Sequence, residues 1–182
     1  IVSGATLTTT TWTGASSNPT KGTTADDLLV WNRVGEFMEI HLDYRQTAGG
    51  SAGSGRYYLT VPGGYSIDTT YYGDGTSYTN YARVGDFSTA SSTDGLNNGI
   101  VAIEDSNKFV FFNNAGTALA STTFDFFTES DGRFTAKIRV KIAEWADLGQ
   151  VPPIGVELAA NGNPGLISAY EEGTWTPADG GK

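Results

Sequence analysis

The sequence predicts an all-β fold, an antiparallel β-sandwich of the jelly-roll kind, on three observations. Two long segments alternate apolar and polar side chains with a period of two. Gly, Thr and Ser are abundant while charged residues make up only 17 % and aromatics reach 12 %. Only one short stretch has helical character. Thr, Tyr, Phe and Val suit a pleated, half-buried surface, and glycine supplies the positive φ that tight turns need. A chain of 182 residues is expected to form one domain whose core needs no metal or disulfide staple.

Taken in order, the first element is "TWTG" (Thr11 to Gly14), which reads like the entry to a strand. Leu28 to Val34 is the next candidate. In "GEFMEIHLDYR", Met38, Ile40, Leu42 and Tyr44 share one face, and Phe37, Glu39, His41, Asp43 and Arg45 share the other. That is a strand with one face on a core and one in water. "QTAGGSAGSG" (Gln46 to Gly55) is expected to be a flexible connection. Strands are then predicted over Arg56 to Val61, Tyr78 to Phe87, Ile100 to Glu104 and Lys108 to Asn113. "EDSNK" makes the tight turn between the last two. In "FTAKIRVKI", Phe134, Ala136, Ile138, Val140 and Ile142 alternate with Thr135, Lys137, Arg139 and Lys141. A turn or two of helix is expected around Glu144 to Leu148, ended by Gly149. Seven or eight strands with so little helix call for two packed sheets.

From Gly149 the character changes. Pro152, Pro153, Pro164 and Pro177 interrupt a glycine-rich stretch with no sustained period. The expectation is a domain over 1–148 and an extended C-terminal arm over 149–182, lying across the domain or a neighbouring subunit. One echo stands out: "NRVGEF" (Asn32 to Phe37) recurs as "ARVGDF" (Ala82 to Phe87). In both, a glycine inside strand-like sequence suggests a bulge or bend.

Charge and composition exclude several partner classes. Eleven Lys+Arg against twenty Asp+Glu give a formal net charge of −9, which repels nucleic acid and anionic membranes. Lys137, Arg139 and Lys141 alternate along a strand and read as a solvated face rather than a basic cluster. There is no cysteine, hence no disulfide or thiolate metal site. No apolar run approaches a membrane span, no signal-peptide pattern opens the chain, and the Asn18-Pro19-Thr20 triplet is blocked by its proline.

Catalytic constellations are thin. His41, the only histidine, sits between Glu39 and Asp43 on a polar strand face, with no nucleophile in reach of an oriented base. There is no zinc, phosphate-loop or dinucleotide motif. Glu171-Glu172 and Asp26-Asp27 are adjacent pairs that point apart in extended chain, unlike paired glycosidase acids. "GDGTSYTN" and "EDSN" offer oxygen ligands without a calcium-loop spacing. The expectation is a non-enzyme with no cofactor and no metal.

Tyrosine placement is the informative feature. Seven of nine tyrosines fall in "RYYLTVPGGYSIDTTYYGDGTSYTNYA" (Arg56 to Ala82). Tyr58 alternates with Thr60 and fits core or rim; Tyr71 and Tyr72 adjoin the Gly73-Asp74-Gly75 turn. Tyrosine joins a large apolar ring to a hydrogen-bonding tip, and aromatic rings beside Asp and Asn suit sugars. Tyr71, Tyr72, Asp74, Tyr78 and Asn80 are the candidate ligand-binding residues. The competing reading is an aromatic core or a subunit interface.

The C-terminal "YEEGTWTP" (Tyr170 to Pro177) resembles a motif common in tail fibre and other receptor-binding proteins of tailed bacteriophages, where it introduces a β-rich domain. "WNRVGEFMEIHLDYRQTAGGSAGSGRYYLTVPGGYSID" is similar to a β domain of phage structural proteins, and "FTAKIRVKIAEWAD" resembles its closing strand and Trp-bearing turn. These stretches span roughly residues 12 to 177. The resemblance implies a virion structural protein, a homotrimer assembled in the host cytoplasm with other virion proteins. It would attach to a host-surface glycan by multivalent contact. The rivals are a capsid decoration or head-fibre protein and, behind it, a polysaccharide depolymerase. The near-repeat of Thr11-Trp12-Thr13 at Thr174-Trp175-Thr176 leads us to expect that both ends are junctions with other segments.

Overall fold

Period-two alternation builds the molecule. Met38, Ile40, Leu42 and Tyr44 on one strand and Phe134, Ala136, Ile138 and Val140 on its neighbour are all buried, while the residues between them face outward. The computed structural model describes residues 6–8, 10–72, 82–93 and 95–148. All of these belong to one unit, Ile1–Gly149. The arm expected over 149–182 lies outside the described residues.

The described strands are β1 (Thr6–Thr8), β2 (Trp12–Gly14), β3 (Thr23–Val34), β4 (Phe37–Ala48), β5 (Tyr57–Thr60), β6 (Arg83–Ser91), β7 (Gly95–Asp105), β8 (Lys108–Asn113) and β9 (Arg133–Lys141). A four-residue helix, α1 (Thr69–Tyr72), and two 3-10 segments, Pro62–Gly64 and Ala143–Leu148, complete the list. The strands form one antiparallel sheet in the order β1-β3-β4-β9-β6-β7-β8-β5-β2. The outermost strands, β1 and β2, are consecutive in the chain, so one short stretch of backbone lies on both edges. The sheet therefore curls, bringing its two edge strands within reach of the short connection between them.

Curling brings side chains from distant strands together. The ring of Trp12 on β2 lies 5.1 Å from Phe134 on β9 and 6.5 Å from Tyr44 on β4, both edge-on. Phe126 and Phe127, from the loop before β9, close the cluster at 5.4 and 5.5 Å from Trp12. Such pairs add about 0.5–1.5 kcal/mol each beyond the area they bury.

Two polar pins hold this end. Gln46, 1 % exposed, donates from Nε2 to the carbonyls of Phe126 (3.0 Å), Phe127 (2.8 Å) and Glu129, while its Oε1 accepts from the Tyr44 hydroxyl at 2.6 Å. Thr10 donates from its amide and hydroxyl to Asp27 Oδ1 (2.9 and 2.7 Å) and accepts from Trp12 Nε1 at 2.8 Å. Lys21 reaches both the Thr10 carbonyl and Asp27 Oδ2. Burial, with the Asp27 charge adding, pushes the Tyr44 hydroxyl well above its ordinary value.

Some expectations are met in a more specific form, and others need correction. The two Arg-Val-Gly echoes do different work: Gly35 (φ 64°) turns β3 into β4, whereas Gly85 lies within β6 at a register shift. A Cβ on Gly85 would sit 2.1 Å from the Lys137 carbonyl, so the sheet itself excludes a side chain there. Gln46 to Ala48 extend β4, and Ser51 and Ser54 bridge to Thr20 and Ser17, so most of the expected loose connection is tied down. The turn or two of helix expected around Glu144 to Leu148 is present as the 3-10 segment Ala143–Leu148, the short helix α1 was not foreseen, and the Gly73-Asp74-Gly75 turn lies outside the described residues.

Candidate functional site

At the opposite end of β4 from Gln46, strand register gathers a second aromatic group. Phe37 begins β4 and pairs with Lys141 at the end of β9; Glu39 pairs with Arg139. The segment after β5 folds back on this corner. Ile67 bridges to Ile142, the Asp68 amide donates to the Lys141 carbonyl at 3.0 Å, and the Ala143 amide donates to the Ser66 carbonyl at 2.9 Å. Asp68 then caps α1, its Oδ1 accepting from the Thr70 hydroxyl (2.5 Å) and the Tyr71 amide (3.2 Å). Aspartate suits this position because its carboxylate satisfies amides that a helix start leaves unpaired.

The cap delivers Tyr71 to the surface, 57 % exposed, standing edge-on to Phe37 (6.0 Å, 82°) and to Tyr72 (4.9 Å, 85°). Two cations lie over the rings. The Arg139 guanidinium is 4.3 Å from the Phe37 centroid, and the Lys141 ammonium is 4.8 Å from that of Tyr71. Cation–π contact of this kind contributes roughly 0.5–1 kcal/mol at an exposed site and fixes ring orientation. Lys141 is further braced by Glu36 and Asp68, each at 3.4 Å, and Arg139 by Glu39 at 3.5 Å.

Tyr72 plays a different part from its neighbour. It is half-buried against the core, and its hydroxyl accepts the Lys141 amide at 2.8 Å. Burial raises its pKa. The Thr70 hydroxyl, the Tyr71 amide and Lys141 hold Asp68 below its ordinary 3.8. Burial works to lower the Lys141 ammonium, but Glu36 and Asp68 outweigh it and raise it. The corner is thus a fixed platform, with an exposed phenol ring flanked by charges that are already paired.

Of the predicted site residues, Tyr71 and Tyr72 come together here, while Asp74, Tyr78 and Asn80 lie outside the described residues. Tyr57 and Tyr58 are buried and belong to the structure. Sequence reasoning missed Phe37, Arg139 and Lys141 as site members. The available signal was Phe37 itself, an aromatic on the otherwise polar face of β4. His41 is exposed on that face and lies across from Lys137. Among the described residues no group of three His, Asp or Glu side chains is placed to hold a metal, and no helix is long and apolar enough to cross a membrane.

Comparison with known proteins adds no relative: no family model, no curated protein and no solved structure matches the chain.

Proposed function

We propose that the chain is a non-enzymatic attachment domain of a tailed-phage fibre or spike, and that the Tyr71 corner grips a host-surface glycan. The observation that carries the binding reading is the exposed Tyr71 ring, held in one orientation by Phe37, Tyr72 and Lys141. A sugar has an apolar face that stacks on such a ring and hydroxyls that meet the paired charges around it. A rigid aromatic with a polar tip loses little entropy on binding. The phage assignment, the virion location and the homotrimer rest on the resemblance of "YEEGTWTP" and the core strands. Three copies on one fibre would raise avidity with no new contact. We read the curled sheet, further, as the two faces of a sandwich, because Phe111 on β8 and Phe134 on β9 meet at 4.9 Å between its halves.

A glycan array probed with the purified chain tests the binding reading. Tyr71→Ala is expected to weaken a specific sugar signal about tenfold, roughly 1.4 kcal/mol. An undiminished signal in Tyr71→Ala and Phe37→Ala would reject the corner as the site.

A further inference from the structure

The inner row of β3 leaves the core at its last residues. Leu29, Trp31 and Arg33 pair with Leu42, Ile40 and Met38 of β4, whose side chains are buried. Along that row burial falls from Leu29 (1 % exposed) through half-buried Trp31 to exposed Arg33. Two further rings meet Trp31 there. Trp145, from the 3-10 segment after β9, stacks on it at 6.2 Å, and half-buried Tyr65 stands edge-on to both, 5.5 Å from Trp31 and 5.0 Å from Trp145. The Arg33 guanidinium lies 5.0 Å from the centre of the Trp145 ring. Gly63, at φ 75°, passes the rings without a side chain; a Cβ there would sit 2.8 Å from the Tyr65 ring and 3.1 Å from that of Trp31.

The cluster is rich in hydrogen-bond donors that the fold does not use. Arg33 gives Nε to the Gly35 carbonyl at 2.7 Å and bonds neither Nη group to any described residue. Among the described residues the indole N–H groups of Trp31 and Trp145 and the Tyr65 hydroxyl make no hydrogen bond either, although such groups usually find a partner when packed. Nor does an acid neutralise Arg33. Glu36, three residues on, is held by Lys141 at 3.4 Å, and Glu144, beside Trp145, accepts the Ser66 amide at 3.0 and 3.1 Å. A planar guanidinium pairs bidentately with a carboxylate, and aromatic rings take the apolar face of a sugar. A formal net charge of −9 disfavours a polyanion, which leaves a ligand with a single acidic group. We propose that Arg33, Trp31, Tyr65 and Trp145 bind a sugar that carries one carboxylate, its ring against Trp31 and Tyr65 and its carboxylate on Arg33. Phe37 alternates with buried Met38 and so stands on the other face of β4. This site is therefore separate from the Tyr71 corner and does not depend on it.

Nuclear magnetic resonance of the full chain, titrated with methyl glucuronide and with N-acetylneuraminic acid, tests it through the indole N–H signals. One or both acids are expected to shift the Trp31 and Trp145 signals saturably and to leave that of Trp12, which is bonded to Thr10 inside the fold, in place. Methyl glucoside, which lacks only the carboxylate, should bind at least about tenfold more weakly. Arg33→Gln, a change at an exposed side chain, should lose at least about tenfold for the acid, and Arg33→Lys less. Tyr71→Ala should shift as the wild type does. Silence of both indoles with either acid, equal binding of glucoside and glucuronide, or full binding by Arg33→Gln would each overturn the site. The same shifts from inorganic phosphate alone would reduce it to a general anion site and overturn the sugar. Loss of the shifts in Tyr71→Ala but not in Arg33→Gln would place the acid at the Tyr71 corner and overturn this site, whereas intact shifts beside an undiminished array signal in Tyr71→Ala and Phe37→Ala would leave this site standing and remove the corner.

Discussion

At one end of β4, Phe126 and Phe127 are fully buried and their carbonyls are pinned by Gln46. At the other end Phe37 and Tyr71 form an aromatic pair that faces water, flanked by Arg139 and Lys141. Both ends use rings packed edge-on, and both use polar groups to fix them. The difference is in what the polar groups face. Gln46 spends its hydrogen bonds on backbone inside the fold and leaves no ring surface free. Asp68 and Lys141 fix the backbone of α1 and leave the Tyr71 ring open. Ring packing holds the first end together, while the second keeps an exposed aromatic ring in place, the surface proposed to bind glycan.

The largest effects should come from breaking the sealed end. Trp12→Ala removes the ring at the centre of the cluster and is expected to cost about 3–5 kcal/mol in urea unfolding. Gln46→Ala removes the side-chain donor to the Phe126 carbonyl and the acceptor of the Tyr44 hydroxyl, while the Phe127 carbonyl keeps the Gly50 amide, for about 2–3 kcal/mol. A loss below about 0.5 kcal/mol would mean that the pin is ornamental. At the open end Tyr72→Phe deletes only the acceptor for the Lys141 amide and should cost about 1 kcal/mol. Tyr71→Ala should also cost about 1 kcal/mol, because the ring gives up its contacts with Phe37, Tyr72 and Lys141 although most of its surface is already in water.

The smallest effect is a pH dependence confined to the open corner. Asp68 is held below its ordinary 3.8, so its contribution is present above that pH and fades as pH falls through the lower folded value. Lys141 is held above 10.5, so its contribution is present below that pH and is lost as pH rises through the higher folded value. The tyrosine near-ultraviolet dichroism of the corner should hold between these limits and change outside them. Asp68→Asn should give the acid-form signal at neutral pH. An unchanged spectrum would show that the cap does not hold α1.

Alternation made much of this legible. β8 matches its expected bounds from Lys108 to Asn113, and β4 and β9 bury the predicted faces. Polar strand ends were not legible: Thr23 to Asp27 and Gly95 to Gly99 carry no apolar period, and their place comes from the ladder beside them. The role of Gln46 was hidden because its partners are backbone carbonyls about eighty residues away, which no local pattern records. At the site, tyrosine density located Tyr71 and Tyr72. The cations over the rings depend on strand register, which fixes Lys141 opposite Phe37 only once the sheet has formed.

The most direct test of the account pairs binding with stability in one variant. Tyr71→Ala is expected to melt within a few degrees of the wild-type chain and to lose about tenfold in affinity for whichever glycan the wild type selects. A variant that binds as tightly as wild type while melting with it would contradict the claim that the open aromatic corner is the recognition surface.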